Sequence, residues 1–294
     1  MMNEFLPEGR SFFTPENERL LSSIEGLEEA FREQIILEAI PYRCDPERNL
    51  HWRIAGTTVI MPRSECGVGI AEGTTREISI LSRVGKPTAF LVTGFEGDRT
   101  PQISRTGAQM LALQRLMSLP LGSVIPATVT HLEQFGAFVD IGCGVTSLIP
   151  IDAISVSRIP HPGCRFQAGD EIFVVLREKL PEQNRFLLSH RELLGTWAEN
   201  AAGFLPGEVV TGVVRGVLDY GIFVELTPNL PALAEYVPGI ENGDLVSVFI
   251  KSILPEKEKI KLLILERLEG MSGKRPPEYY ITDGIVQGWS YHRE

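Results

Sequence analysis

Two short segments carry residue types from which a recognition surface could be built. Phe135-Gly136-Ala137-Phe138-Val139-Asp140 and Tyr220-Gly221-Ile222-Phe223-Val224-Glu225 each set two aromatics around a glycine and end in an acid. Alternate residues of a strand share a face. The acid must face water, so Phe138 lies outside with Asp140 and Phe223 outside with Glu225, while Val139, Ile141, Val224 and Leu226 fill the core. One such ring is an ordinary packed residue. The same ring at the same place twice, beside a charged same-face neighbour, reads as a stacking platform for unpaired bases, each worth about 1–3 kcal/mol. Phe135 and Tyr220 sit before the glycine, in a turn that scrambles their parity. Cations that could meet phosphate recur too: Arg185 and Lys259 both follow a Leu-Pro-Glu segment. Lys251, Lys257 and Lys261 lie near the latter and Arg158 lies in the connector of the former.

The elements that must position these residues form an internal repeat. Residues 122–141 (GSVIPATVTHLEQFGAFVDI) align with 207–226 (GEVVTGVVRGVLDYGIFVEL) at a constant offset of 85. Residues 169–185 align with 243–259 at an offset of 74, so the second copy has lost 11 residues between its halves. Such deletions fall in surface loops. Each copy reads as about five short strands: Val124–Thr130, Phe138–Ile141, Leu148–Ile151, Glu171–Lys179 and Arg185–Ser189 in the first. Five strands in about 70 residues suit a small barrel that hides its edges.

A more divergent copy precedes these, with strands at Ile35–Ala39, Leu50–Ile54, Val59–Pro62, Gly85–Val92 and around Ile103. It lacks the aromatic turn but places His51 and Arg53 on the face that Phe138 and Asp140 occupy, so it could still grip phosphate. Pro15–Phe31 reads as one amphipathic helix, and Ser189–Ala202 as a helical linker. The expected organisation is a helical segment 1–34, a divergent barrel 35–110, a barrel 120–192, a shortened barrel 205–268 and a C-terminal arm 271–294.

The chain of 294 residues has 28 basic and 38 acidic side chains, a net charge of −10. That opposes a nucleic-acid binder of the usual basic kind, but binding needs charge along a groove and not a basic total. Half of the excess acid sits in the first 34 residues, which hold three basic and eight acidic side chains. No apolar run reaches the roughly 18 residues of a membrane span. The opening Met1-Met2-Asn3-Glu4 lacks the regions of a secretory leader, so a cytoplasmic location is expected. Cys44, Cys66, Cys143 and Cys164 have no zinc spacing and read as reduced thiols. The glycine spacing of Cys66–Gly73 fits neither a dinucleotide loop nor a Walker loop and reads as a connector turn. His161, between prolines, has no partner in sequence. No nucleophile elbow, metal-ligand set or paired catalytic carboxylates appear, so neither enzymatic activity nor a cofactor is expected.

FGAFVDIG, the following SLIP and the later GDEIFVV and RFLLS resemble the RNA-binding repeat of small-subunit ribosomal protein S-one, an OB fold. The linker HRELLGTWAENAAGFLPGEVV is similar to junctions between such repeats. The resemblance is strong over residues about 120–265 and weak over about 35–110. It implies a mainly β protein of tandem five-stranded OB barrels with an N-terminal amphipathic helix and helical linkers. The family binds RNA with two aromatics around a Gly-Ala step, a His in the third strand, and an Asp and an Arg near the last strand. Phe135, Phe138 and Arg185 match; Pro150 replaces the His and Pro181 the Asp. Tyr220, Phe223 and Lys259 match in the last copy. The implied function is non-enzymatic binding of single-stranded RNA such as mRNA, in translation and with the small ribosomal subunit as a partner. The competing class is a protein-docking module with little RNA binding, its acidic helix meeting a basic partner. A nuclease subunit is a third class, for which no catalytic centre is found.

Overall fold

The computed structural model describes residues 5–97, 99–268 and 277–289. Strands dominate, and two closed five-stranded barrels form the middle and last parts of the chain.

The middle barrel comprises β7 (Val124–Glu133), β8 (Gly136–Asp140), β9 (Thr146–Pro150), β10 (Glu171–Leu180) and β11 (Arg185–Ser189). The last comprises β12 (Val209–Leu218), β13 (Gly221–Thr227), β14 (Leu230–Ala234), β15 (Leu245–Leu254) and β16 (Lys259–Arg267). Their strand orders correspond, so the repeat in sequence is a repeat in topology. In each barrel the long first strand pairs with both the second and the fourth. Parallel pairing of the third and fifth closes the ring, at Leu148 with Leu187 and at Leu233 with Lys261.

The N-terminal unit uses the same order but does not close. Its strands are β1 (Leu37–Ala39), β2 (Arg43–Cys44), β3 (Leu50–Ile54), β4 (Thr57–Met61), β5 (Thr88–Glu96) and β6 (Thr100–Ser104). They form two three-stranded sheets, β1-β5-β6 and β2-β3-β4. The single long first strand of the barrels is here broken at Ile40-Pro41-Tyr42. Pro41 has no N–H to donate to a ladder, so β1 serves one sheet and β2 the other. The core behind them holds Leu37, Trp52, Val59 and Phe90.

The helix expected over Pro15–Phe31 is two helices, α1 (Pro15–Leu21) and α2 (Ile24–Glu33). Thr14 caps the first and Ser23 the second through side-chain oxygens, as capping requires. Leu20, Leu27 and Ala30 enter the N-terminal core. A short α3 (Ile78–Leu81) follows β4, and α5 (Trp197–Ala201) forms the helical part of the linker between the barrels, sending Trp197 into the last core.

The longest helix, α4 (Arg105–Ser118), was not anticipated. Ala108, Ala112, Leu113 and Leu116 join Ala89 of β5 to the core of the middle barrel. Residues 277–289 return to the middle barrel, where the Val286 N–H donates to the Gly122 carbonyl. There the Tyr279 hydroxyl donates to Nε2 of buried His190, whose Nδ1–H donates to the Ile154 carbonyl. Burial holds His190 down to about 4, so it is the neutral tautomer that fits this slot.

Candidate nucleic-acid interface

On the outer face of the middle barrel, strand register lines up His131, Phe138, Leu148 and Leu187 across β7, β8, β9 and β11. The His131 ring lies flat on Phe138, centroids 4.4 Å apart and planes 10° apart. Phe135 is 56% exposed and stands edge-on to Phe138 at 6.0 Å. Phe138 itself is half-buried, with the His131 ring stacked on it. Gly136 between the rings is required: a Cβ there would come within 2.4 Å of the Ile149 carbonyl on β9. Arg185 opens β11 two residues before Leu187 and therefore shares its face. It is exposed and forms no ion pair among the described residues.

The last barrel repeats the strip with changed contents: Gly216, Phe223, Leu233 and Lys261. Tyr220 is 68% exposed and edge-on to Phe223 at 6.3 Å. Gly216 stands where His131 stands, and a Cβ on it would touch the Phe223 ring at 3.7 Å. Phe223 thus lacks the imidazole cover that Phe138 has. Lys259 and Lys261 are exposed on the same face of β16 and unpaired among the described residues. Lys251 is committed to Glu235, Nζ to Oε1 2.7 Å. Leu233 and Tyr236 add exposed apolar area at this end.

The water-facing role expected of Asp140 and Glu225 is corrected. Both are on the outer side of their strands, as parity required, yet each is only 5% exposed. Neighbouring units cover them. Asp140 accepts from the backbone N–H groups of Glu8 at 2.7 Å, Gly142 at 2.8 Å and Gly144 at 3.0 Å. Glu8 in turn pairs with Arg105 at the start of α4, at 2.8 Å, and with Arg83, at 2.6 Å. Burial and the Glu8 carboxylate push Asp140 up to about 7. For Glu8, the two arginines outweigh burial and hold it below the usual range. Glu225 is gripped by Arg165, from the connector of the middle barrel, and by Arg215 on β12, Nε to Oε2 3.0 Å. Burial opposes its charge, but the two guanidiniums prevail and its carboxyl lies below the ordinary range.

The remaining expected residues are not drawn into these strips. His51 is held 2.9 Å from Asp45, and Arg53 lies over the exposed Tyr42 ring, 5.2 Å from its centroid. Both are on the outer face of β3, with a ring, Tyr42, that the sequence reading passed over. Arg158 is exposed on the connector between β9 and β10. The cysteines are free, and burial pushes the Cys66 thiol up to about 12. Among the described residues no three His, Cys, Asp or Glu side chains cluster to hold a metal, and no helix is long and apolar enough to cross a membrane. His131 was missed although a hairpin register counted back from Phe138 across the turn would have placed it opposite.

Residues 118–191 match the S1 RNA binding domain. Over 171 residues the chain is 35% identical to small ribosomal subunit protein bS1 of Leuconostoc lactis, covering 53% of this chain and 39% of that protein. Over 189 residues it is 30% identical to the bS1 homolog of Bacillus subtilis, covering 62% of this chain and 48% of that protein. The chain therefore spans less than half the length of these curated relatives. A solved multidomain protein with nucleic acid binding domains from Streptococcus pneumoniae covers 81% of this chain and 75% of its own, at 12% identity and a TM-score of 0.26, too partial an overlap to argue from. The S1 match thus falls on the middle barrel, and similarity to bS1 proteins extends over more than half of the chain.

Proposed function

We propose that this protein binds single-stranded RNA, without enzymatic activity, by stacking bases on exposed rings and meeting phosphates with a few placed cations. The carrying observation is duplication: an edge-on pair of rings, with an uncommitted cation on the fifth strand of the same face, recurs in both closed barrels. Phe135, Phe138 and Arg185 serve the middle barrel; Tyr220, Phe223, Lys259 and Lys261 serve the last. Stacking is sequence-tolerant because every base has a π-face, so mRNA segments of varied sequence fit. Each barrel alone is a weak site, and the second gains through effective concentration when one strand spans both. The relatives named above are small-ribosomal-subunit proteins, which supports a role in translation beside that subunit, in the cytoplasm.

The test is titration of the full chain with an unstructured oligouridine. Phe138→Ala with Phe223→Ala should weaken binding by about 2–6 kcal/mol, from roughly 1–3 per ring. Affinity should also fall as salt rises. Unchanged affinity in the double variant removes the stacking model. Absent RNA binding together with co-sedimentation on ribosomes would favour a protein-docking module instead.

A further inference from the structure

The middle barrel's strip does not end at the barrel. Beside His131 and Arg185 it opens into a cleft of about 590 Å³ whose other wall belongs to the N-terminal unit. That size is ordinary for a site holding one small ligand. Thr130 and Asn184 complete the barrel side. The opposite wall is the Cys66–Gly73 turn and the segment after it, contributing Gly67, Gly69, Thr74, Thr75, Ser79 and Ser82.

This wall is hydroxyl and bare backbone, with few apolar side chains. Gly69 has φ +82°, and a Cβ there would strike the Thr74 and Thr75 hydroxyls at 2.4 and 2.6 Å. Only glycine lets the two threonines fold in beside the loop. The cleft is lined by three guanidiniums, Arg83, Arg105 and, at its mouth, Arg185, against two carboxylates, Glu8 and Asp140. Burial and the Glu8 carboxylate raise the Asp140 carboxyl to about 7, which weakens its negative charge there. The cleft is thus locally cationic in a chain of net charge −10.

Hydroxyls, exposed backbone and cations, with no Phe, Tyr or Trp among the described lining residues and only the His131 ring at the mouth, suit sugar and phosphate better than a base. We propose that this cleft is a second RNA subsite, taking a ribose-phosphate unit of the strand that leaves the Phe138 platform. The N-terminal unit then contributes to RNA binding through its loop 67–83, and His51 and Arg53 are not needed for it. The proposal rests on the stacking reading of the middle barrel and extends the strand's path onto the N-terminal unit.

The experiment compares two oligouridines on the full chain, one of about 4 nucleotides and one of about 12, within the span of OB-fold site sizes. Ser79→Glu with Ser82→Glu places negative charge on the cleft wall. It should weaken the longer RNA about tenfold and leave the shorter one unchanged, whereas Phe138→Ala weakens both. Unaltered binding of the longer RNA in the serine variant, with Phe138→Ala still impaired, overturns the subsite and spares the stacking reading. No effect of Phe138→Ala on either RNA sinks the stacking reading itself. The unmodified protein supplies a second readout: photocrosslinking to 4-thiouridine RNA should label residues 67–83. Crosslinks confined to the two barrels overturn the subsite even if the serine variant fails to fold.

Discussion

The middle and last barrels share strand order, a close-packed glycine between two rings, and an acid at the same outward position of the second strand. They treat the ring and the acid in opposite ways. Phe138 carries His131 flat upon it, while Phe223 faces Gly216. Asp140 is satisfied by backbone N–H groups and sits near 7, while Glu225 is locked between two arginines and stays charged. The difference shows what the repeat preserves. The outward acid is a docking point for the preceding unit: α4 and Glu8 cover Asp140, and the middle barrel's Arg165 covers Glu225. The chemistry of docking differs between the copies, and so does the finish of the stacking face beside it.

The largest effect is expected where the comparison is sharpest, at the charged junction. Glu225→Ala leaves Arg165 and Arg215 facing each other with side chains no more than 10% exposed. Stranding buried charges in this way costs about 3–5 kcal/mol. Denaturant unfolding of the full chain should show that loss, with the transition of the last barrel displaced most. Asp140→Asn should cost less at pH 7, because no guanidinium among the described residues pairs with Asp140 and none is stranded by its loss of charge. A loss at Asp140 equal to that at Glu225 would erase the distinction between the junctions.

The same pair predicts a pH signature. The Asp140 carboxyl is raised from its ordinary 3.8 to about 7 in the folded protein. Between these values the folded chain holds a proton that the unfolded chain has released, so stability falls as pH rises toward 7. Glu38, pushed by burial to about 7 beside Glu8 and Asp140, adds a component of the same sign. Glu8, held low by Arg105 and Arg83, acts oppositely, losing its contribution as pH falls through its folded value. Measured from pH 5 to 8, Asp140→Asn should gain stability relative to wild type as pH rises, then run parallel above about 8. Parallel curves throughout would mean that Asp140 is ionised across the range. Glu225→Gln should show no such relative gain.

The stacking faces come next in size. Phe223→Ala should cost RNA affinity about 1–3 kcal/mol. Phe138→Ala should fall in the lower half of that range, because its upper surface already carries His131 and Phe135 stays exposed beside it. Single-variant titrations with one oligouridine decide the order. A greater loss at Phe138 would make the His131–Phe138 stack the stronger platform.

Much of this was legible from residues alone, and what was not has a physical pattern. Val139 and Ile141 inward with Phe138 and Asp140 outward follows from the two-residue period of a strand. The burial of Asp140 and Glu225 does not, since their partners come from other units: Arg165 lies 60 residues from Glu225 and Glu8 lies 132 from Asp140. Helix α4 escaped because it is buried on two sides, against β5 and against the middle barrel, which blurs the single apolar stripe of a surface helix. The break at Pro41 was readable in type but not in consequence, because opening a barrel into two sheets depends on which strands each half then meets.

The smallest expected effect isolates the one residue that distinguishes the two ring faces. Gly216 has room for a side chain: its Cβ would meet the Phe223 Cδ2 and Cβ atoms at 3.7 and 3.8 Å, ordinary contact distances. Gly216→His should therefore cap Phe223 as His131 caps Phe138, with little change in stability. If RNA bases stack directly on Phe223, the cap intercepts them, and Phe223→Ala then costs less in the Gly216→His background than alone. The coupling should be about 0.5–1 kcal/mol, as for residues in contact. His131→Gly should work in reverse, making Phe138→Ala more costly. Additive cycles at both positions would show that the imidazole is a neighbour of the platform and no part of it, and the two barrels would then bind RNA alike despite their different faces.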